Sequence, residues 1–233
     1  MGRAIDVAAT DAGWTVRARI DAHDSISSES LRRADVAIEF TTAAAAPDVV
    51  RACLEAGCSV VSGTTGWSGG GPGIEQTVEA SRGAFLWTPN FALGAHLLAA
   101  AAAYLGRALR DQPAWDAAVI ETHHAAKRDA PSGTARSISD RASAAWGRAI
   151  PVTSVRVGQV PGVHEVIFDA PFEQLRLTHS VRDRRVFAEG ALTAARWLAG
   201  RRGVFSMDDV VRALLGEDPG GAEHGVRCGS SGV

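Results

Sequence analysis

Three short apolar runs constrain this chain more than anything else in it: Asp35-Val-Ala-Ile-Glu-Phe40, Ser59-Val-Val-Ser62 and Ala84-Phe-Leu-Trp87. Each has the length of a strand, and the segments between them carry helix punctuation. Pro47 suits the first turn of a helix over 47–56 and Gly57 its end; a second helix covers 75–82. Strands that alternate with helices at this spacing pair in parallel, since each crossover returns the chain to the same edge. The pattern predicts a doubly wound parallel sheet. An alternating run over 14–20 reads as one more strand of that sheet, closing on Asp21. It is preceded by a helix over 1–12 that stops at Gly13.

After Pro89-Asn90-Phe91 the pattern changes. A long Ala/Leu helix over 93–109 leads to a strand over 116–121, a polar loop, and a helix over 132–146. Period-two segments at 152–160, 163–169 and 173–180 are separated by Pro161-Gly162 and Ala170-Pro171, which predicts antiparallel hairpins. Helices return at 186–198 and 207–215, and the Gly-rich stretch 217–233 is expected to be disordered. The fold class is α/β, with a doubly wound half followed by an α+β half containing a mixed sheet.

Composition removes several classes of function. A net charge of −2, without a basic run along a helix or groove, gives nucleic acid no electrostatic footprint. Cys53, Cys58 and Cys228 are too few and too oddly spaced for a disulfide framework or a zinc knuckle, so a reducing, cytoplasmic setting is expected. The Ala-rich run 97–105 is far too short to span a membrane, and the N-terminus has no apolar core of a signal peptide.

Chemistry concentrates in Glu121-Thr-His-His-Ala-Ala-Lys-Arg-Asp-Ala-Pro-Ser-Gly-Thr134. An imidazole exchanges a proton near neutral pH, an ammonium three residues on holds an anion, and a helix N-terminus after Pro131 offers free amides. His123 and His124 admit two readings. As metal ligands they would need His164, His179 or Asp129 to complete the set. Neighbours on a strand point to opposite faces, however, whereas proton chemistry needs only one of them. Lys127 beside them suits a substrate carboxylate. Ser132, Gly133 and Thr134 suit another, at the positive end of the helix dipole, and Ser132 also reads as an ordinary N-cap. The carboxyl ends of the parallel strands, where such sheets bind ligands, carry Thr41, Gly63-Thr-Thr-Gly66 and Pro89-Asn90-Phe91. Asp21, at the end of its strand, is placed to accept the hydroxyls of a ribose. With Ala22 and His23 following, no arginine waits for a 2′-phosphate. Gly63 either lets a flat ring approach the backbone or simply makes a tight turn. The glycine run 69–73 lacks the lysine of a phosphate loop and reads as a flexible connection.

The segment 121–135 closely resembles the signature of the bacterial dihydrodipicolinate reductase family. The resemblance extends through Ile38-Glu-Phe-Thr41, Val61-Ser-Gly-Thr-Thr-Gly-Trp67, Thr88-Pro-Asn-Phe-Ala-Leu-Gly94, Gly162-Val-His-Glu-Val-Ile-Phe168, Leu177-Thr-His-Ser180 and Phe187-Ala-Glu-Gly-Ala-Leu192. It implies a Rossmann-like domain over 1–89 completed by helices within 188–216, and a substrate-binding and oligomerisation domain over 90–187. It also implies reduction of a cyclic dicarboxylate, 4-hydroxy-tetrahydrodipicolinate, in the lysine and diaminopimelate pathway, with NADH or NADPH as hydride source. By the resemblance, His123 is the proton donor, Lys127 its partner in acid catalysis, and His124, Ser132, Gly133 and Thr134 bind substrate. Gly2, Asp21, Phe40, Thr41, Gly63, Thr65, Pro89, Asn90 and Phe91 bind cofactor, with Asp21 favouring NADH. No metal is implied. A homotetramer assembled through the sheet of the second domain is expected, with neither nucleic acid nor membrane as partner.

One departure stands out. The family opens with a strand and a Gly-x-x-Gly-Arg-Met-Gly turn under the pyrophosphate, whereas this chain begins Met1-Gly-Arg-Ala-Ile5 and matches only the last glycine. Hydrogen bonds to charged groups contribute about 1.5–3 kcal/mol each. Losing two weakens cofactor binding by roughly 10²–10⁴-fold. The expectation is a start placed too late, with a truncated and poorly active product as the alternative. The rival functions are a cofactor-poor dicarboxylate-binding protein and, more distantly, a metal-dependent hydrolase.

Overall fold

The computed structural model describes residues 1–31, 34–70 and 72–217. In chain order its elements are α1 (Gly2–Asp11), β1 (Val36–Glu39), α2 (Ala46–Glu55), β2 (Ser59–Ser62), α3 (Pro72–Ser81), β3 (Ala84–Trp87), α4 (Leu93–Ala108) and β4 (Asp116–His123). Then follow α5 (Gly133–Trp146), β5 (Val152–Arg156), β6 (Val163–Ala170), β7 (Glu173–Ser180), α6 (Arg185–Leu198), β8 (Gly203–Phe205) and α7 (Met207–Leu214).

The first sheet runs in the order β1-β2-β3-β8, with every pair parallel. Its central strands are apolar on both sides because both faces are covered. Val60 and Phe85 pack with Val50, Leu54, Ile74 and Val78 of α2 and α3. Val61 and Leu86 pack with Ile5 of α1, Leu192 and Leu198 of α6, and Met207 and Val210 of α7. Alternation along each strand thus divides one run between two hydrophobic layers.

The second sheet has the order β5-β4-β6-β7 and is mixed, as expected: β5 is parallel to β4, while β6 and β7 form an antiparallel ladder from β4 outward. Helices α4 and α5 cover one face through Leu98, Ala102, Ile138 and Trp146, which pack on Val119, Val166 and Phe168. The helices cross closely at Gly106, where a Cβ would stand 2.9 Å from the Ala142 carbonyl oxygen. No described helix is long and apolar enough to cross a membrane.

Four expectations change. Residues 14–20 form no strand, although Trp14 and Val16 still pack against the first core. Alternation makes a segment fit to pair, but a strand also needs a neighbouring ladder, and none of the described residues offers one there. The segment 152–160 is not an arm of a hairpin with 163–169. It pairs only as far as Arg156, parallel to β4, because α5 supplies the crossover that a parallel neighbour requires. Strand β8 was not anticipated: three residues carry no period, and only pairing with β3 defines it. Finally, β4 runs on to His123, two residues beyond its expected end. The stretch expected to be disordered, 217–233, lies outside the described residues apart from Glu217, as does Gly71 of the glycine run.

Candidate active site

Strand register assembles the ionisable groups. Glu121 of β4 stands opposite His164 of β6, which stands opposite His179 of β7; on the other side His123 stands opposite Arg156 of β5. Side chains two apart on a strand share a face, so all five project toward the side covered by α4 and α5.

Glu121 is fully buried. Its Oε1 accepts from Arg156 Nη2 at 2.6 Å and from the Ser132 amide at 3.3 Å, while Oε2 meets His123 Nδ1. Burial alone would raise its pKa, but the hydrogen bonds from Arg156 and His123 prevail and bring it down to about 2. Burial lowers the pKa of His123, and Lys127 and Arg156 press the same way against the opposing pull of Glu121. The His164 ring sits edge-on to His123 with centroids 5.2 Å apart. Burial first, then the neighbouring His123 and His179, push His164 down to about 4. His179 stacks on His164 at 6.3 Å and is also lowered by burial.

The loop after β4 is pinned from two sides. The Lys127 ammonium lies 2.8 Å from Asp129 Oδ1, and Arg156 Nη2 donates to the Asp129 carbonyl at 2.6 Å. His124, half-buried, follows the end of β4, and its carbonyl accepts from the Lys127 amide at 3.1 Å. At the start of α5 the Ser132 hydroxyl accepts from the Ala135 amide at 3.2 Å and lies 3.3 Å from His164 Nε2. Ser132 is therefore the N-cap, its amide and hydroxyl engaged within the protein. Gly133, exposed, and Thr134 supply first-turn amides that an α-helix leaves without an intrahelical acceptor.

The carboxyl edge of the parallel sheet is built differently. Glu39, buried, accepts from the Thr41 amide at 2.7 Å, from the Thr41 hydroxyl at 2.6 Å, and from Ser62 and Thr64 at 2.5 Å each. These bonds tie the ends of β1 and β2 together. A Cβ on Gly63 would stand 2.1 Å from the Phe40 ring and 2.7 Å from that of Phe91, so the flat rings that approach Gly63 are the chain's own. Phe91 is core, with its carbonyl oxygen 1.7 Å from where a Cβ on Gly190 of α6 would be. Thr41, Thr65 and Pro89 are exposed along this edge. Asn90 reaches across to the other site: its Nδ2 donates to Thr134 Oγ1 at 3.0 Å. Gly2 opens α1 with free space around it. Asp21 is not at a strand end; it lies exposed in a turn, where its Oδ1 accepts from the Ala22 amide at 2.8 Å.

Sequence reasoning drew neither Glu39 nor Arg156 into a candidate site, gave Glu121 no role of its own within its motif, and named His164 and His179 only as further ligands in the metal reading. For Glu121 a signal was present: it shares strand parity with Ala117 and Val119, so an acid had to enter the core two residues before His123. His164 likewise shares parity with Val166 and Phe168.

These residues fall within a recognised pattern. The profile described as "Dihydrodipicolinate reductase, N-terminus" matches residues 2–91, and that described as "Dihydrodipicolinate reductase, C-terminus" matches 94–211. The chain belongs to the dihydrodipicolinate reductase family. Among similar members, the 4-hydroxy-tetrahydrodipicolinate reductase of Acidiphilium cryptum (strain JF-5) is 36% identical over 236 residues, covering 91% of this chain and 93% of its own. That of Rhodopseudomonas palustris (strain BisA53) is 37% identical over 201 residues, covering 76% and 72%. The fold is shared with a dipicolinate-bound dihydrodipicolinate reductase from Paenisporosarcina sp. TG-14, at a TM-score of 0.67, 23% identity, and coverage of 78% of this chain and 77% of that one.

A metal reading of the dihydrodipicolinate reductase motif has a geometric basis, since donor atoms of Glu121, His123 and His164 lie within 4.8 Å of one another. Glu121, however, already receives Arg156, the Ser132 amide and His123. The guanidinium and the nearby Lys127 ammonium give the cluster a positive surround that repels a further cation.

Proposed function

We propose that this chain catalyses the family reaction: NAD(P)H-dependent reduction of 4-hydroxy-tetrahydrodipicolinate to tetrahydrodipicolinate, in lysine and diaminopimelate biosynthesis. The observation that carries this is the family match over both halves of the chain, 2–91 and 94–211. In this reading residues 1–89 with helices from 188–216 hold the cofactor, and 90–187 hold the substrate.

His123 is the proton donor and Lys127 its partner. A dianionic substrate entering beside them favours the imidazolium, opposing the lowering that burial imposes on His123. Lys127 leaves Asp129 for one substrate carboxylate. The amides of Gly133 and Thr134, at the helix end held in place by Ser132, receive the other. His124 contacts the ring.

Two features support a dinucleotide. Exposed Thr41, Thr65 and Pro89 with Asn90 line the carboxyl edge of a parallel sheet, where Phe40, Gly63 and Phe91 form the packed floor. The first turn of α1, opening at Gly2, carries N-terminal helix amides of the kind that bind phosphate, and nothing stands within 4 Å of where a Gly2 Cβ would be. NAD(P)H, when bound, supplies the hydride to the substrate ring. Asp21 takes the ribose hydroxyls, and Ala22 and His23, rather than an arginine, follow it in sequence, which favours NADH.

The open face of the second sheet supports the expected homotetramer. Val155 is 39% exposed there, and Phe172 at the β6–β7 turn is fully exposed. Light scattering of the purified chain tests this, and a monomer at micromolar concentration refutes it.

A second reading, a dicarboxylate-binding protein without turnover, is favoured by one observation: residues 14–20 form no strand and Asp21 sits in a turn. A steady-state assay of the purified chain with enzymatically generated substrate and each reduced cofactor separates the two. Saturable turnover supports the reductase. Binding of pyridine dicarboxylate without turnover or cofactor binding supports the second reading.

A further inference from the structure

We infer that Arg156, Glu121 and His123 form a positioning relay. Arg156 fixes Glu121, Glu121 fixes the imidazole tautomer, and Nε2 of His123 is thereby the atom that gives up the proton. This deepens the reading of His123 as proton donor and rests on it.

The argument begins with Glu121. An ionised carboxylate only accepts hydrogen bonds, and a guanidinium 2.6 Å away, permanently cationic, keeps this buried carboxyl ionised. The low pKa of Glu121 agrees. The contact at Oε2 must then be a hydrogen bond donated by His123 Nδ1. With Nδ1–H committed to an anion, the neutral ring carries its lone pair on Nε2, and the imidazolium loses its proton from Nε2. The Nε2–H bond breaks, its electron pair stays on the ring, and the proton passes to the substrate. Nδ1–H remains on Glu121 throughout, and solvent recharges Nε2 between turnovers.

Gly162 gives the second observation. A Cβ at this position would stand 3.1 Å from Nε2 of His123, so the glycine keeps the approach to that nitrogen clear. The third is the reach of Arg156. The same Nη2 that grips Glu121 also donates to the Asp129 carbonyl at 2.6 Å, and Asp129 holds Lys127. One guanidinium therefore orients both the proton donor and the loop of its ammonium partner. Buried ion pairs add little net stability over apolar packing, so stability alone is a weak reason for a fully buried acid here.

The test has two parts. In the wild-type chain, nitrogen-15 NMR of the imidazole, above the His123 titration, is expected to show Nδ1 protonated and Nε2 bare. The opposite tautomer overturns the relay. In pH–rate profiles a general acid must be protonated, so turnover falls as pH rises through its pKa. Glu121→Gln is expected to lower kcat by about 10²–10⁴-fold and to move that falling limb to lower pH, because the anion favouring the imidazolium is gone. Arg156→Gln moves the limb to higher pH, because a cation opposing the imidazolium is gone. Limbs that stay put, or shift together, overturn the relay; a merely structural role cannot move them apart. Should Glu121→Gln fail to fold, the wild-type spectrum and the Arg156→Gln profile still decide. A wild-type chain without turnover refutes the functional reading instead, and the spectrum continues to test the relay.

Discussion

The two sheets treat buried charge in opposite ways. On the second, Glu121, His123, His164 and Arg156 lie against one another: Arg156 and His123 help hold Glu121 ionised, and His123 adds to the burial that keeps His164 neutral. On the first, the buried acid Glu39 is surrounded by four short hydrogen bonds from Thr41, Ser62 and Thr64, and its role is to fasten two strand ends. The first arrangement suits a proton kept in play, as proposed for His123; the second builds a rigid edge, the one proposed to hold the cofactor. In a low-dielectric interior both must satisfy the carboxylate, but only titratable partners make the environment responsive.

The largest effect should fall on the responsive side. His123→Ala removes the proposed general acid and is expected to lower kcat by about 10²–10⁴-fold, while titration calorimetry finds NAD(P)H affinity as in the wild type. An equal loss in cofactor affinity breaks the division of labour between the sheets. Next comes acid stability. His164 has its pKa lowered from 6.5 to about 4, so between these values the unfolded chain binds the proton more readily than the folded one. Stability is intact above pH 6.5 and is lost as pH falls toward 4, by roughly 3 kcal/mol from this group. Urea unfolding across that window should show the decline, and His164→Gln should make it shallower, leaving what His123 and His179, also lowered by burial, contribute. A wild-type curve already flat there refutes the assignment.

That asymmetry also explains what could be read from the residues alone. Strand β3 and helix α5 were legible because their information is local: a bounded apolar run in one, an N-cap and a helical period in the other. His123 and Lys127 stand out as candidates for the same reason, as titratable and charged groups in one short motif. Arg156 does not, and His164 enters the sequence reading only as a candidate metal ligand, since both join His123 and Glu121 only through the register of β5 and β6 with β4. The segment 14–20 failed in the reverse sense: its alternation is present, but pairing is a property of two segments and not of one.

On the rigid side the expected effect is smaller. Gly63→Ala places a methyl 2.1 Å from the Phe40 ring and 2.7 Å from Phe91, both in close contact and one of them buried core. Overpacking of this kind costs typically about 1–3 kcal/mol. Thermal unfolding should register that loss, and NAD(P)H affinity should fall with it while pyridine dicarboxylate binds as before. A variant weakened for the dicarboxylate instead would move Gly63 out of the cofactor edge.

The smallest effect tests the one bond described above that spans the two sites. Asn90 leaves the parallel sheet and donates to Thr134 Oγ1 at 3.0 Å, at the helix end proposed to hold a carboxylate. Its own position is fixed: Oδ1 accepts from the Ala92 amide at 2.8 Å, and its carbonyl accepts from His96 Nε2 at 2.7 Å and Thr88 Oγ1 at 2.9 Å. A pivot held this firmly is expected to couple the two proposed sites, because Asn90 cannot shift without straining one of these hydrogen bonds. Thr134→Val keeps the shape and removes the acceptor, which costs about 1 kcal/mol, or about fivefold in a binding constant. The loss should appear in the coupling: cofactor strengthens dicarboxylate binding less in the variant than in the wild type, while each ligand alone binds with little change. If coupling is intact in Thr134→Val, the sites communicate by another route and the bond is only part of the scaffold.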